Sequence, residues 1–165
     1  MPELAFYHAG SGIILLNERG FIMKVSEIMN SNVISLKAED TVSRAAALFA
    51  RHNIGALPVC GNDGRLRGIV TDRDIVLRCI AGEYQPEETK VREIMTRGVS
   101  TVSPEDDIRA ATHLMSEEQV RRLPVVDSGR VVGMISLGDI ARKNAFDMEA
   151  SRALCDISTP RRKFS

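Results

Sequence analysis

The chain carries one pattern twice, and this internal duplication constrains its fold more than any other feature. The segment KVSEIM at Lys24–Met29 recurs as KVREIM at Lys90–Met95, and LPV at Leu57–Val59 recurs at Leu123–Val125. After each LPV comes a turn and a closing segment, first GIVTDRDI and then GMISLGDI. Chance similarity does not preserve the order of several motifs along a chain, so we infer a tandem repeat.

Each copy predicts the same five elements. A short strand, NVISL or GVSTV, precedes a helix whose apolar residues follow the spacing i, i+3, i+4, i+7. The predicted apolar stripes are Val42, Ala45, Ala46 and Phe49 in the first copy and Ile108, Ala111, Thr112 and Met115 in the second. The LPV strand then turns through GNDG or DSG into another strand, and a second helix starts near Asp72 or Gly138.

The predicted fold is α/β (α+β), with two repeats that each run strand-helix-strand-strand-helix. One copy alone would leave a sheet face uncovered, so we expect the repeats to pack about a pseudo-twofold axis. An N-terminal extension, 1–22, is compatible with either a hairpin turning at Asn17–Gly20 or a disordered segment. The other predicted bounds are a first repeat at 23–82, a polar linker at 83–89, a second repeat at 90–145, and a C-terminal helix end and tail at 146–165.

Composition excludes several classes of protein. Lys+Arg 22 balances Asp+Glu 22, so no global field favours nucleic acid, and the short basic tail is expected to be a solvated end. No apolar run approaches the roughly 20 residues that span a bilayer, and no secretory signature begins the chain, so we expect a cytoplasmic protein. Cys60, Cys79 and Cys155 are widely spaced and form no C-x-x-C, which disfavours a zinc site or disulfide framework.

The closing segments have a spacing suited to holding a nucleotide. Thr71 and Asp74, matched by Ser136 and Asp139, place a hydroxyl and a carboxylate one helical turn apart where a strand gives way to a helix. The hydroxyl and the free N–H groups suit a phosphate, and the carboxylate suits the vicinal hydroxyls of a ribose. A second interpretation is that the same residues cap the helix and complement its dipole.

The two copies also differ in charge. Arg73 in the first closing segment is replaced by Gly138 in the second, whereas Gly55-Ala56 before the first LPV is replaced by Arg121-Arg122 before the second. Because Arg73 and Arg122 belong to different repeats, we expect them to neutralise phosphate charge from opposite sides of a cleft.

These motifs resemble a pair of CBS domains, also called a Bateman module, from about Phe21 to Asn144. The resemblance implies a stand-alone module that binds adenine nucleotides or other adenosyl ligands in clefts between the repeats, with disc-like homodimers as the assembly. By resemblance to kinase-regulating members, Arg122 is the best phosphate ligand and Arg121 a weaker one, although this chain has two such units rather than four. The resemblance further implies that the main chain at Ile34 and Ser100 contacts adenine. It also implies that Asn30 and Thr96 lie at the mouth of the cleft.

The leading hypothesis is therefore a non-catalytic sensor of AMP-, ADP- or ATP-like nucleotides that requires no cofactor or metal and acts on itself or on an unknown protein partner. Alternatives are a structural CBS dimer with empty clefts, a sensor of NAD(H) or S-adenosylmethionine, and a cryptic nucleotide-converting enzyme. No P-loop, G-x-S-x-G or H-E-x-x-H motif supports catalysis. A homodimer is expected because Ile75, Val76, Cys79 and Ile80 form an apolar helix surface that one repeat pair would not cover.

Overall fold

The structure, a computed structural model, describes residues 5–9, 12–16, 22–143 and 147–159. Strand β1 (Ala5–Ala9) pairs antiparallel with β2 (Gly12–Leu16), with Ala9 opposite Gly12. This pairing lies earlier in the chain than the hairpin considered from the sequence, whose turn at Asn17–Gly20 falls outside the described residues. The sequence between the strands is Gly-Ser, a pair typical of two-residue hairpin loops.

Both repeats contain the predicted helices and hairpins. The first comprises α1 (Val42–His52), β3 (Ala56–Cys60), β4 (Leu66–Thr71) and α2, which starts with an α-helical turn, Asp72–Asp74, and continues as a π-helix, Ile75–Ile80. The second comprises α3 (Val91–Ile94), α4 (Ile108–Glu118), β5 (Arg122–Asp127), β6 (Arg130–Ser136) and α5 (Leu137–Ala141). A further helix, α6 (Asp147–Ser158), lies within the segment that sequence analysis assigned to a helix end and tail.

The first predicted strand of each repeat is shorter than expected. Leu36 forms a single parallel bridge with Val59 of β3, and Val102 forms the equivalent bridge with Val125 of β5. Two backbone hydrogen bonds hold Leu36, since its N–H donates to the Pro58 carbonyl at 2.9 Å and its carbonyl accepts from Cys60 at 2.8 Å. The hairpin of each repeat is thus extended by one short parallel contact rather than by a full third strand.

The repeats exchange their duplicated KVxEIM segments. Val25 lies in a short 3₁₀ turn, Val25–Glu27, and is buried in the core of the second repeat, whereas Val91 and Ile94 of α3 are buried in the core of the first. Backbone hydrogen bonds follow the same reciprocal pattern: Val25 donates to the Asp106 carbonyl and Val91 to the Asp40 carbonyl, at 2.9 and 2.8 Å. The core of each repeat is therefore completed by the KVxEIM segment at the start of the other repeat.

Two glycines permit this exchange. A Cβ on Gly68 of β4 would lie 2.5 Å from the Thr96 carbonyl oxygen, and one on Gly133 of β6 would lie 2.5 Å from the Met29 sulfur. The neighbouring backbone pairs, Ile69 with Thr96 and Asn30 with Met134, need this close approach.

Helix α6 explains a difference between the two predicted helical stripes. All four residues of the second stripe are buried, but Ala46 of the first stripe is exposed, contrary to expectation. The residue of α4 equivalent to Ala46 is Thr112, which is only 5% exposed and shares a groove with Ala153 of α6. Helix α6 packs on α4 and α5 through Ala150 and Ala153, whereas none of the described elements covers α1 and α2 in the same way.

The apolar surface expected on the first closing helix is present but differently composed. Ile75 and Cys79 are buried in the core of the first repeat, so their predicted exposure was wrong. Val76, Leu77 and Ile80 are more than half exposed. The π-helical turn places the two groups on different sides, one facing the core and the other facing solvent.

Candidate functional site

A cleft of about 470 Å³ opens between the two repeats and combines residues from both. The first half of the chain contributes Asn30, Asn32, Val33, Ile34, His52, Asn53, Ile54, Ala56, Leu57 and Pro58. The second contributes Arg122, Met134, Ile135, Ser136, Asp139 and Arg142. Five residues predicted from the sequence therefore meet in this cleft: Asn30, Ile34, Arg122, Ser136 and Asp139.

One wall of the cleft is apolar. Ile34 and Ile54 lie beside the first three residues of β3, Ala56, Leu57 and Pro58, which are buried. Met134 adds an apolar residue from β6 on the opposite repeat. A flat aromatic ring lying against this wall would bury apolar surface while its edge met the adjacent backbone.

The acidic wall consists of Ser136 and Asp139 at the start of α5. Ser136 Oγ accepts a hydrogen bond from the Asp139 N–H at 3.1 Å, and Asp139 Oδ2 accepts from the Ser136 N–H and Oγ at 2.9 and 2.5 Å. This is a capping box, and it satisfies backbone donors that the helix start leaves unpaired. The capping interpretation of this motif is therefore observed, and it fixes the carboxylate in the cleft.

The second oxygen of Asp139 takes no part in the capping box. Oδ1 accepts a hydrogen bond from the Arg142 guanidinium, whose side chain is largely exposed, while the Asp139 side chain is about one-fifth exposed. Because the capping bonds use Oδ2, a ligand hydroxyl would compete only with Arg142 for Oδ1. The geometry thus allows helix capping and ligand binding by the same carboxylate.

Cationic side chains border the cleft on the second-repeat side. Arg122, the first residue of β5, reaches toward Gly55 of the first repeat. A Cβ added to Gly55 would lie 3.6 Å from Arg122 Nη1 and 3.1 Å from Asp72 Oδ2. Gly55 thus leaves space for a cation and a carboxylate from opposite repeats. Arg73 does not line this cleft; it is exposed, and its backbone N–H donates to Asp72 at 2.8 Å.

The remaining predicted site residues lie elsewhere. Thr71 and Asp74 form a capping box like that of Ser136 and Asp139, with the Thr71 N–H and Oγ1 donating to Asp74 Oδ2 at 2.8 and 2.7 Å. Arg78 links this capping box to Thr96, which was predicted to lie at the cleft mouth. Arg78 Nη1 lies 3.5 Å from Asp74 Oδ1 and donates a hydrogen bond to Thr96 Oγ1 at 3.2 Å. None of these lines the 470 Å³ cleft.

Two further predicted residues are also outside that cleft. Ser100 is half-buried and is absent from its lining, and Arg121 borders a neighbouring cavity of about 700 Å³ together with Arg122, Ser136 and Gly138. Of the 11 predicted residues, five therefore line the cleft described above and six lie outside it.

Sequence reasoning missed His52, Asn53 and Arg142 in the cleft. His52 ends α1, and Asn53 follows in the left-handed conformation, at φ 52°, which reverses the chain toward β3. An Asn after a predicted helix is a recognised C-terminal signal, so its position was available from the sequence. Arg142 gave no such signal, because its place in the cleft depends on where α5 ends.

Among the residues described, no three or more His, Cys, Asp or Glu side chains are grouped to hold a metal ion. In the same part of the chain, no helix combines the length and the hydropathy needed to cross a bilayer.

Comparisons with known proteins follow the internal repeat. The CBS domain family model matches residues 25–80 and 91–145. The CBS domain-containing protein YhcV of Bacillus subtilis is 37% identical over 134 residues, covering 81% of this chain and 94% of that protein. A crystal structure of Hypoxic Response Protein I with two coordinated zinc ions is 37% identical, with a TM-score of 0.69 over 73% of this chain and 98% of that one.

A ligand-bound structure is also similar. The CBS domain pair of protein MJ0100, in complex with 5-methylthioadenosine and S-adenosyl-L-methionine, is 31% identical, with a TM-score of 0.69 over 76% of this chain and 98% of that one. The predicted α+β fold and the predicted resemblance are confirmed by these matches. The chain belongs to the CBS-domain family, with two CBS domains in tandem.

Proposed function

We propose that this protein is a non-catalytic, cytoplasmic regulatory module that binds an adenosyl nucleotide in the 470 Å³ cleft. The observation that carries the proposal is the opposition of Ser136 and Asp139, from one repeat, to the apolar wall at Ile34 and Ala56–Pro58, from the other. An adenosyl group has the two matching parts, an apolar ring and a ribose diol. The similar MJ0100 pair, with its two adenosyl ligands, supports the same chemical class.

Phosphate specificity is assigned to the cationic border of the cleft. Arg122 and Arg142 line the cleft beside Asp139, so a phosphate on the ribose 5′ position would meet charge-assisted donors. This favours AMP-, ADP- or ATP-like ligands over adenosine. NAD(H) and S-adenosylmethionine share the adenosyl group and are the alternative ligands.

Regulation would arise because the cleft spans both repeats. A ligand that contacts Ile34 and Asp139 together stabilises one relative arrangement of the repeats, and it shifts the population by its difference in affinity between arrangements. The exposed apolar residues of α2 provide a surface through which such a change would reach a second copy or an unknown protein partner. We propose a homodimer formed through this surface.

A thermal-shift panel tests the proposed function. AMP, ATP, NAD and S-adenosylmethionine are compared with the 2′,3′-dideoxy form of the best ligand, which lacks the diol. A ligand at 100 times its dissociation constant should stabilise the fold by about 2.7 kcal/mol. Chromatography of the same mixtures should show unchanged ligand.

Absence of any shift across the panel would favour the alternative of a structural dimer with empty clefts. Equal shifts from the parent and dideoxy ligands would remove the proposed role of Asp139. Conversion of a nucleotide in the mixtures would establish an enzyme instead of a sensor.

A further inference from the structure

A second cavity, of about 520 Å³, lies where the Lys90–Arg97 segment packs on the first repeat, at the other end of β3 from the cleft described above. Ala56 at the start of this strand lines the cleft, and Cys60 at its end lines the second cavity, a separation of about 13 Å along an extended chain. The two cavities share no lining residue. We refer to the second cavity as the basic pocket.

Four cations line the basic pocket: Lys37, Arg67, Arg92 and Arg97. Two of them are paired, Arg92 with Glu39 and Arg67 with Asp63, the latter at 3.3 Å. Burial raises the pKa of the Cys60 thiol, so this lining residue stays neutral near pH 7 and adds no negative charge.

The other two cations have only backbone carbonyl partners within the described part of the chain. Lys37 Nζ donates to the Gly61 carbonyl at 2.8 Å, and Arg97 Nη2 donates to the Arg92 carbonyl at 3.3 Å. Asp40 accepts from the Lys37 backbone N–H, but its carboxylate forms an ion pair with Arg44 at 3.4 Å. The pocket thus carries two positive charges that no carboxylate in the described residues neutralises.

The duplication provides an internal control for this charge. At the equivalent positions around the hairpin of the second repeat and the Lys24–Ser31 segment that packs on it, Lys37, Arg67, Arg92 and Arg97 are replaced by Ser103, Val132, Ser26 and Ser31. The surrounding Glu39 and Met95 are retained as Glu105 and Met29. Because the hairpin β5–β6 and the Lys24–Met29 segment form the same arrangement without these cations, the fold does not require them.

We infer that the basic pocket binds a small multivalent phosphate anion. Arginine guanidinium groups match phosphate oxygens with paired donors, and a lysine ammonium adds a compact charge. Two cations without carboxylate partners in one pocket favour an anion with at least two negative charges over a monovalent one. This inference goes beyond the proposed nucleotide sensor and does not depend on it, since the cleft and the pocket have separate linings.

Titration calorimetry with inorganic pyrophosphate at low ionic strength tests the inference. The double variant Lys37→Ser, Arg97→Ser installs at each position the residue of the other repeat, Ser103 or Ser31, and should weaken pyrophosphate binding at least about tenfold. The control double variant Arg51→Ser, Lys143→Ser removes the same charge at exposed positions that line neither cavity, and it should change the affinity less than about twofold.

An Arg122→Ala variant separates the two cavities. This variant should leave pyrophosphate binding to the basic pocket intact. Its effect on nucleotide binding in the cleft tests the proposed function instead. Loss of pyrophosphate binding in Arg122→Ala but not in the pocket double variant would overturn the inference, because the anion would then occupy the cleft. Equal weakening by both double variants would overturn it as well, because net charge alone would explain the effect.

Discussion

At the residue scale, Asp139 both belongs to the capping box of α5 and is the proposed ribose ligand. Its Oδ2 accepts two hydrogen bonds from Ser136 and caps α5, while its Oδ1 faces Arg142 at the cleft. The sequence left two interpretations of this position, a helix cap and a ribose acid. The cap is observed, whereas the ribose contact remains a prediction. A substitution that keeps the cap but removes the charge tests the ribose contact separately.

Asp139→Asn is that substitution. An asparagine oxygen still accepts from the Ser136 N–H and preserves the cap, but the charge that strengthens a ribose hydrogen bond is lost. A charged hydrogen bond contributes about 1.5–3 kcal/mol, so adenosine should bind roughly ten- to a hundredfold more weakly in calorimetry. Thermal unfolding of Asp139→Asn should stay close to that of the parent.

Two companion variants complete the comparison. Asp139→Ala keeps the bond from its backbone N–H to Ser136 Oγ but loses the reciprocal bonds from Ser136 to the carboxylate, so it should be less stable by about 0.5–1.5 kcal/mol. Asp74→Asn changes the equivalent box outside the 470 Å³ cleft and should leave binding in that cleft unaffected. Parent-like adenosine affinity in folded Asp139→Asn would mean that the carboxylate serves only the helix.

At the element scale, α6 makes the two repeats unequal. It covers α4 and α5, buries Thr112 and contributes Ala150 and Ala153 to the second core. The small alanine side chains allow close helix packing, and no equivalent helix among the described elements covers α1 or α2. Stability should therefore differ between the two helical faces.

Ala153→Asp tests the contribution of α6. Ala153 is 2% exposed, so an aspartate there would place a charge against the core of the second repeat and should lower stability on the order of 3 kcal/mol. Hydrogen exchange should quicken in α4 and α6 before it quickens in α1. Ser151→Asp, on the exposed side of the same helix, adds the same charge and should have little effect; equal destabilisation by both variants would contradict α6 docking through Ala153.

At the scale of the whole molecule, the uncovered face of the first repeat is the surface expected to join two copies. Val76, Leu77 and Ile80 are all exposed on α2, and Tyr84 lies exposed shortly after it. Because α6 occupies the corresponding face of the second repeat, the proposed dimer would form between first repeats. This asymmetry was not part of the dimer predicted from the sequence.

Ile80→Glu should weaken the proposed dimer at least about tenfold, because it places a charge in the centre of the apolar surface. Met148→Glu is the matched control, since Met148 is 80% exposed but lies on α6. Light scattering at micromolar concentration should give a dimer mass for the parent and for Met148→Glu, and a smaller mass for Ile80→Glu. A monomeric parent would refute the dimer, and dissociation by Met148→Glu would place its interface elsewhere.

The sequence by itself determined the features that depend on neighbouring residues. The duplication, the order of helices and hairpins, and the capping boxes at Thr71 and Ser136 all follow from motifs or from spacings of three or four residues. The cleft was predictable in part, because Ile34, Arg122, Ser136 and Asp139 occupy matching positions in a recognised repeat.

Only the tertiary structure decided which copy of a motif packs against which repeat. Both KVxEIM segments present the same apolar pattern. The local sequence therefore does not distinguish packing of a segment on its own repeat from the exchange between repeats seen for Val25 and Val91. Likewise, Ala46 and Thr112 have equivalent helical positions, yet α6 buries only Thr112. Burial depends on distant chain segments that compete for the same surface, and residue spacing along one helix carries no information about that competition.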